Sequence, residues 1–458
     1  MKHNAIIYLM VMLVAAGCSK ENPAAEQLDT QQGEPLSFDV AEVVESQTRS
    51  GAAGSIDYSV LSKSGYGFGV IASQLGWTNQ QVKYVPDAGT TNPGSAFFYP
   101  SKWRYWTSKS DIKYWLSDIH NKTASPIESV DFYAYAPYVA SPSGSDGITA
   151  ISGTNVSYAI NTTVGAGVDL LWGVNGTTGK PWKGTTYTAT GEGKQPTGGP
   201  VLFTFRHALA AIGFRVQSMI GKDNDLSDLD DESAIAGVLR SGGNYKVTIK
   251  KIELTGYFHP SGTLSLDNSK EDTPNWTYKT DAASQTLTVT NSQIVESMRH
   301  LHDKATTTGS SETIDTDDNP DNDSDAKKIM SDKTNNGVSQ KANQQVVVND
   351  GNGHEKYFLV IPCEETGTGH HHDFTVTLHW CVSAVLPDGN YVSEDHVNTI
   401  NITDLKLIAG TKYLFNFIIN LKLIGLEVTA TDWRETSETT SVIIEHGTSA
   451  SESLAREH

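Results

Sequence analysis

Two positions near the start of the chain have neighbours that suit covalent chemistry, and the first is Cys18. It follows Lys2, an apolar run over residues 5–16 and a group of small residues. The run is too short to span a bilayer stably, so residues 1–17 are predicted to be a signal peptide. Small residues directly before a cysteine are typical of a lipobox, in which a peptidase cuts before Cys18 and the thiol is acylated, as with palmitate. The alternative is an ordinary secretory signal with an incidental cysteine.

The second position is Arg49, in the stretch ESQTRSGAAG (residues 45–54). Its neighbours are small or polar, and a protease needs an extended, exposed and flexible site. The stretch therefore offers a candidate cleavage site between Arg49 and Ser50. The alternative is a loop that contains one arginine by chance.

Two polar clusters contain metal-ligating residue types without the spacing that a metal requires. In the acidic stretch Asp315–Asp325, an EF-hand pattern would need glycine where Ala326 stands and glutamate where Asp332 stands. His370–His372 are consecutive, and neighbouring strand residues point to opposite faces. We predict no metal and no cofactor. No nucleophile elbow or phosphate-binding glycine loop occurs, so we predict no enzymatic activity.

A cluster of tryptophans follows the first strands. Trp103, Trp106 and Trp115 could line a sugar site, because aromatic faces stack on pyranose rings. Such clusters are more often core or interstrand packing. Trp103 and Trp106 are the candidates for a glycan contact, with core packing as the favoured interpretation.

The elements that must position these residues are predicted to be strands. The chain of 458 residues is 38% hydrophobic, contains 40 glycines and shows no convincing amphipathic helix of four or more turns. Many short alternating runs between turn residues indicate an all-β fold, and the length requires two β-sandwiches. The net charge of −19, without a basic stripe, argues against nucleic acid as a partner.

The composition along the chain divides it into segments. Residues 18–35 form a flexible tether, 36–199 an N-terminal sandwich and 200–445 a C-terminal sandwich. A polar, acidic insertion at about 302–345 lacks the apolar residues of a packed core, and residues 446–458 form a flexible tail.

The first and last strand-like segments of the chain bear on assembly. In the first, residues 36–44 (LSFDVAEVV), Phe38 and Val40 alternate with polar neighbours, and Val43 is a further apolar residue. In the last, residues 440–445 (TSVIIE), Val442 and Ile444 would share one face and Ile443 the other. That segment is either a donor strand for another molecule or the last strand of the chain's own C-terminal sandwich.

Two cysteines remain after Cys18. Cys363 and Cys381 end the strand-like runs YFLVIPC and FTVTLHWC. If these runs form a hairpin about residues 366–371, Cys363 lies opposite residue 373 and far from Cys381. This geometry favours two buried thiols over a disulfide bond.

Several segments in their order and spacing resemble the fimbrillin family of Bacteroidetes, whose members are subunits of the type V pilus. The segments are the lipobox at Cys18, LSFDVAEVVESQTRS, GYGFGVIAS, WRYWTSKSDIKYW, VDFYAYAPY, VDLLWG, LFTFRHALAAIGFRV and LIAGTKYLFNFIINLKLIGLEVTATDW. The acidic insertion departs from the usual compactness of the family and blurs the middle of the second domain.

The resemblance implies two tandem transthyretin-like, Greek-key β-sandwiches and an assembly route. The subunit reaches the outer-membrane surface as a lipoprotein, and an arginine-specific protease cuts after Arg49. The released strand carries Phe38, Val40 and Val43. Its loss opens a groove, and the C-terminal strand of another subunit fills this groove. The implied partners are therefore other pilin subunits, the outer membrane, the protease and a host or bacterial receptor. The alternative is a permanently lipid-anchored protein that binds glycans or serves as a pilus anchor or tip.

Overall fold

A computed structural model describes most of the chain outside its termini and its longer polar segments. The described residues are 35–43, 56–63, 66–86, 102–120, 127, 129–180, 182–186, 200–218, 245–267, 273–279, 283–290, 300–302, 345–347, 356–363, 373–385, 391–419, 423–432 and 440–447.

Strands dominate these residues. In chain order they are β1 (Phe38–Val43), β2 (Phe68–Ala72), β3 (Trp77–Tyr84), β4 (Trp103–Arg104), β5 (Ser129–Ala136), β6 (Gly147–Ser152), β7 (Asn155–Ala159), β8 (Leu171–Asn175), β9 (Trp182–Thr186), β10 (Val201–His207), β11 (Ala210–Ser218), β12 (Tyr245–Phe258), β13 (Ser261–Ser265), β14 (Asn275–Tyr278), β15 (Ala283–Thr290), β16 (His300–His302), β17 (Gln345–Val347), β18 (Phe358–Val360), β19 (Phe374–Val385), β20 (Tyr391–Ile402), β21 (Thr411–Ile419), β22 (Leu423–Asp432) and β23 (Thr440–Gly447).

Helical structure among the described residues is short. It consists of α1 (Tyr58–Leu61), the 3-10 helices Ser73–Leu75 and Lys109–Asp111, and the π-helix Trp115–His120. The predicted all-β fold is confirmed. Its cause is visible in β10, where Val201, Phe203, Phe205 and His207 are buried while the residues between them are partly exposed.

The strands form four sheets. The first has the order β2-β3-β4-β1-β10-β8-β5-β9, and β2 also pairs with β5, which closes seven of its strands into a ring. The second has the order β17-β11-β21-β22-β23, with β18 also on β11. The third is β15-β12-β19-β20 with β16 on β12, and the fourth is β14-β13-β7-β6.

Two hydrophobic cores lie against these sheets, and strand β5 contributes to both. Phe132 and Ala134 belong to the first core, which also includes the buried residues of β1, β2 and β10. Tyr133 and Tyr135 belong to the second core, which includes the buried residues of β11, β12, β19 and β21. A strand buried on both faces has no polar alternation, and this explains the nearly continuous apolar run in β5.

The domain boundary at residues 199 and 200 stays a prediction, and two of the four sheets contain strands from both sides of it. Strand β10 follows this boundary, yet it pairs with β1 and β8 in the first sheet. Strand β7 precedes the boundary, yet it pairs with β13 in the fourth sheet. Local alternation identifies strands but does not specify their partners, because pairing is decided by contacts that are distant in sequence.

Both cysteines in the described residues are buried and neither forms a disulfide bond, as predicted. The hairpin on which that prediction relied is wrong. Strand β18, just before Cys363, pairs with β11 in the second sheet, whereas β19, which contains Cys381, lies between β12 and β20 in the third. Cys363 itself forms an isolated antiparallel bridge with Leu407, away from the strand that contains Cys381.

Candidate functional site

Strand β1 occupies a position inside the closed ring of the first sheet. On one side it runs parallel to β10 through five residue pairs, from Phe38 opposite Val201 to Val43 opposite Phe205. On the other side it pairs antiparallel with β4 at one position, Phe38 opposite Trp103. Strand β1 is therefore held mainly by β10, and its removal would open the ring.

The inward face of β1 carries the three residues that the sequence singles out. Phe38 is 0% exposed, Val40 6% and Val43 4%. The pairing with β10 shifts register between Val40 and Glu42, which leaves Ala41 as the extra residue of a bulge. The inward side chains are thus spaced by two residues and then by three, and Val43 packs inward with the others.

Phe38 lies in a pocket made of aromatic rings. Five rings have centroids between 5.7 and 6.4 Å from its own, and they come from four other strands and the segment after β4. These residues are Phe68, Trp77, Tyr105, Phe132 and Phe203. Most of the pairs are edge-to-face, the arrangement that the ring quadrupoles favour. Phe38 is therefore the main anchor of β1.

Backbone hydrogen bonds extend this attachment at the start of β1. The Val201 N–H donates to the Ser37 carbonyl at 2.8 Å, and the Leu36 N–H donates to the Lys113 carbonyl at 2.8 Å. The Lys113 N–H in turn donates to the Tyr105 hydroxyl oxygen at 2.8 Å. The backbone of Lys113 thus connects the start of β1 to Tyr105, whose ring is part of the Phe38 pocket.

The outward face of β1 is polar and partly open to solvent. Ala41 and Glu42 are exposed, and Asp39 is partly buried. Burial raises the pKa of Asp39 above its usual value, although the Val40 N–H donates to its carboxylate at 2.8 Å and acts in the opposite direction. An ionised Asp39 therefore opposes docking of β1 at neutral pH.

Replacing Asp39 with asparagine is expected to stabilise the docked strand at pH 7, because an amide has no charge to desolvate. A carboxyl whose pKa is raised on folding gives its full stability below the unfolded pKa of about 3.8, and this stability is lost as pH rises through the folded pKa. The gain should therefore be present at pH 7, below about 1 kcal/mol after solvent screening, and absent at pH 3. Denaturant unfolding at both pH values measures it.

The matched control for this substitution is Glu42→Gln on the same strand, where the side chain is exposed. It should change the free energy of unfolding at pH 7 by less than about 0.5 kcal/mol, as is usual for surface positions. A gain for Asp39→Asn that persists at pH 3 would contradict the role of the charge.

A buried acid joins three elements near the end of β10. Asp169, just before β8, is 0% exposed, and its Oδ2 lies 2.8 Å from Nδ1 of the 4%-exposed His207 at the end of β10. The same oxygen accepts a hydrogen bond from the Ile56 N–H at 2.9 Å. Asp57 then caps α1, accepting from the Val60 N–H at 2.6 Å. Asp169 therefore fixes the segment that follows β1 in the chain.

The sequence does not identify Asp169 and His207 as a pair. The available signal was a single acid within the apolar run GVDLLWG (residues 167–173). A carboxylate is seldom fully buried unless it is paired, so an acid in such a run indicates a specific partner. Its partners, His207 and Ile56, are 38 and 113 residues away, and the sequence does not show them.

The two tryptophans proposed for glycan contact differ in their surroundings. Trp103 is 2% exposed and packs with Phe68 and Tyr84 at centroid distances of 5.3 and 5.2 Å. It is a core residue and offers no open face to a sugar, so the favoured interpretation is right for this residue. Trp106 is half-buried, and the Arg104 guanidinium lies 5.1 Å from its ring centroid.

The candidate donor residues Val442, Ile443 and Ile444 lie in β23. This strand is the outer strand of the second sheet and pairs antiparallel with β22 from Thr440 to Gly447. The structure thus places the segment beside a strand of the same molecule, in line with the second of the two sequence-based alternatives. Within the described part of the chain, no cluster of His, Cys, Asp and Glu could hold a metal ion.

Several predicted features lie outside the described residues. These are the signal peptide, Cys18, Arg49, Ser50, the histidine run and the acidic insertion between residues 303 and 344. Among the residues that are described, no helix has the length and apolar character needed to cross a membrane.

Comparison with known proteins gives one family and several distant structures. Residues 72–298 match the model of the fimbrillin-like family. A fimbrial protein from Bacteroides vulgatus ATCC 8482 is 15% identical, with a TM-score of 0.48, 87% of this chain covered and 99% of that chain. A candidate cell adhesion protein from Bacteroides uniformis ATCC 8492 is 13% identical, with a TM-score of 0.35 and the same two coverages. No curated protein matches the sequence.

The family assignment depends on the sequence match, since the structural similarities are remote. The matched segment begins in β2 and includes β5, β8 and β10 of the closed ring. Strand β1 and Arg49 precede it. Residues 72–298, just under half of the chain, are thus fimbrillin-like in sequence.

Proposed function

We propose that the protein is a structural, non-enzymatic pilus subunit that joins its neighbour by strand exchange after losing β1. The match of residues 72–298 to the fimbrillin-like family supports a role as a pilus subunit or in adhesion, on the cell surface. The finer route has four steps: export as an outer-membrane lipoprotein acylated at Cys18, cleavage between Arg49 and Ser50, release of β1 and entry of a donor strand. The receptor that such a pilus would contact is a host or bacterial surface molecule.

The observation that carries this proposal is the placement of β1. Its inner face fills the first core with Phe38, Val40 and Val43, while its outer face is polar and partly exposed. It lies between two strands of a ring that is otherwise continuous from β10 through β8, β5, β2 and β3 to β4. Loss of β1 would leave unpaired backbone on β10 and an apolar groove, and an added strand would satisfy both.

The position of Arg49 in the sequence also suits the release of β1. Arg49 lies between the end of β1 at Val43 and Ile56, where the next described segment begins. Ile56 is fixed by Asp169, and Asp57 caps α1. A cut at Arg49 would therefore separate β1 from the rest of the protein. The segment that begins at Ile56 would stay attached through Asp169.

Replacing Arg49 with alanine is expected to abolish the new N-terminus at Ser50, because an arginine-specific protease would lose its recognition residue. The wild-type chain, exported to the cell surface, should begin at Ser50 and form ladders on unheated gels. The Arg49→Ala chain should keep its N-terminal segment and remain monomeric. N-terminal sequencing and unheated electrophoresis measure both outcomes.

Arg104 provides the control for this substitution. It lies in β4, and its guanidinium is in contact with the ring of Trp106, so Arg104→Lys should leave the cut at Ser50 unchanged. If the wild-type surface protein begins at an acylated Cys18 and stays monomeric, the stalk and tip roles fail. The anchor role, in which the lipid is kept, would then be favoured.

The partner strand comes from a subunit of the same or a related type. Val442, Ile443 and Ile444 in β23 are the candidate donor residues of this chain, and β23 would first have to leave β22. The alternative function, a lipid-anchored glycan-binding protein, now depends on Trp106, because Trp103 is buried. Loss of glycan-array binding in Trp106→Ala would support that alternative.

A further inference from the structure

The aromatic pocket around Phe38 restricts what can replace β1. This argument depends on the proposed strand exchange. Five rings face Phe38: those of Phe68, Trp77, Phe132 and Phe203 belong to the first core, and that of Tyr105 packs against it. An occupant with a smaller side chain would leave a cavity between these rings, which is costly because a packed core closes only partly around a void.

The bulge in β1 adds a second restriction, which concerns spacing. The inward residues Phe38, Val40 and Val43 are separated by two positions and then by three, because Ala41 is the extra residue opposite β10. A replacement strand that follows the same path must place a ring first, an apolar side chain two residues later and another three residues after that. A regular strand with inward residues at every second position would turn its third anchor outward.

Strand β23 of this chain does not meet either condition. Residues 434–458 contain no Phe, Tyr or Trp. The best alignment places Val442 in the Phe38 position and Ile444 in the Val40 position, but it then places Gly447 in the Val43 position. All other alignments put a polar residue in at least one of the three positions.

The pairing of β23 is consistent with this mismatch. It is bonded to β22 over eight residue pairs, from Thr440 to Gly447. Donation to a neighbour would therefore break a complete strand pair and fill the aromatic pocket with a valine.

We infer that the groove left by β1 accepts a strand from a different kind of subunit, one that carries an aromatic residue followed by apolar residues two and five positions later. Copies of this chain would not fill one another's grooves through β23. The chain then joins a mixed polymer by receiving a strand with a ring at its first anchor, and the selectivity comes from the rings around Phe38.

The test measures strand exchange on the full chain after cutting between Arg49 and Ser50, with the cut verified by N-terminal sequencing. The probe is a fluorescein-labelled peptide with the sequence of residues 36–44, and unlabelled peptides compete with it. One competitor is the same peptide with Phe38→Ala, and its matched control carries Glu42→Ala at an exposed position. Two further competitors copy residues 440–447, with and without Val442→Phe.

The expected result is a ranking. The Phe38→Ala peptide should compete at least about 100-fold less well than the parent, and the Glu42→Ala peptide within about 2-fold of it. The copy of residues 440–447 should be at least about 100-fold weaker than the parent, and Val442→Phe should improve it by at least about 10-fold.

Two results would overturn the inference in different ways. If residues 440–447 compete as well as residues 36–44, selectivity for a ring is contradicted while strand exchange itself stands. If the cut chain does not take up even the labelled copy of residues 36–44, the proposed release of β1 fails, and the inference fails with it.

Discussion

Replacing Phe38 with alanine is expected to lower the free energy of unfolding by about 3–5 kcal/mol, the range for truncating a buried phenylalanine. The side chain is 0% exposed and contacts five aromatic rings from elements that are far apart in sequence. These rings cannot all move toward the vacated space, because each also packs within the first core. Denaturant unfolding monitored by tryptophan fluorescence measures the loss.

The control for this substitution is Glu42→Ala, on the same strand but on its exposed face. It should change the free energy of unfolding by less than about 0.5 kcal/mol, as is usual for surface positions. An equal effect at the two positions would show that β1 is not held by its inner face. A small effect at both would show that β1 is not part of the cooperative core.

The second large effect is expected for Asp169→Ala, which should lower the free energy of unfolding by about 2–4 kcal/mol. Its buried Oδ2 serves two groups, Nδ1 of His207 and the Ile56 N–H, and both would lose their acceptor in a place that water does not reach. The cost of leaving buried polar groups without their acceptor exceeds the net gain of an ordinary hydrogen bond.

A local measurement separates this role from general destabilisation. Hydrogen exchange at the Ile56 amide should accelerate more in Asp169→Ala than exchange in the middle of β12, which is remote from this acid in sequence and sheet. Asp169→Asn should recover part of the stability, because its amide oxygen can still accept the Ile56 N–H.

An exposed acid on another sheet provides the matched comparison. Asp395 is 62% exposed at its side chain and pairs with Lys250 at 2.6 Å. Asp395→Ala should cost less than about 1 kcal/mol, since surface ion pairs are weak. If Asp395→Ala and Asp169→Ala were equally destabilising, burial would not be the source of the effect at Asp169.

Local patterns in the sequence predict the strands of this fold well. In β10, Val201, Phe203 and Phe205 recur at every second position, and the structure buries all three. In β1, Phe38, Val40 and Val43 are identified by their types, and all three are buried. These features are local, because a side chain's preference for the core is evident in its own neighbourhood.

Local patterns did not predict which strands pair or that the first sheet closes into a ring. The sequence gives no sign that β1 runs parallel to β10, more than 150 positions later, or that β2 pairs with β5 to close the ring. The bulge at Ala41 is also invisible to a simple alternating pattern, although the three-residue step from Val40 to Val43 is consistent with it.

For the candidate site residues, too, the residue types were evident from the sequence but their partners were not. Trp103 is an aromatic residue that is buried against rings from three other elements, so its type alone allowed both a sugar contact and a core position. Asp169 acquires its role from His207 and Ile56, which only the fold brings together.

The central claim is that cutting after Arg49 lets β1 leave and another strand take its place on β10. The most direct measurement is hydrogen exchange at the Val201 amide, whose N–H donates to the carbonyl of Ser37. It should be slow in the uncut chain, fast after the cut and removal of the released segment, and slow again in the assembled polymer. Slow exchange in the cut chain, with the segment of residues 35–43 still bound and no polymer formed, would contradict the account.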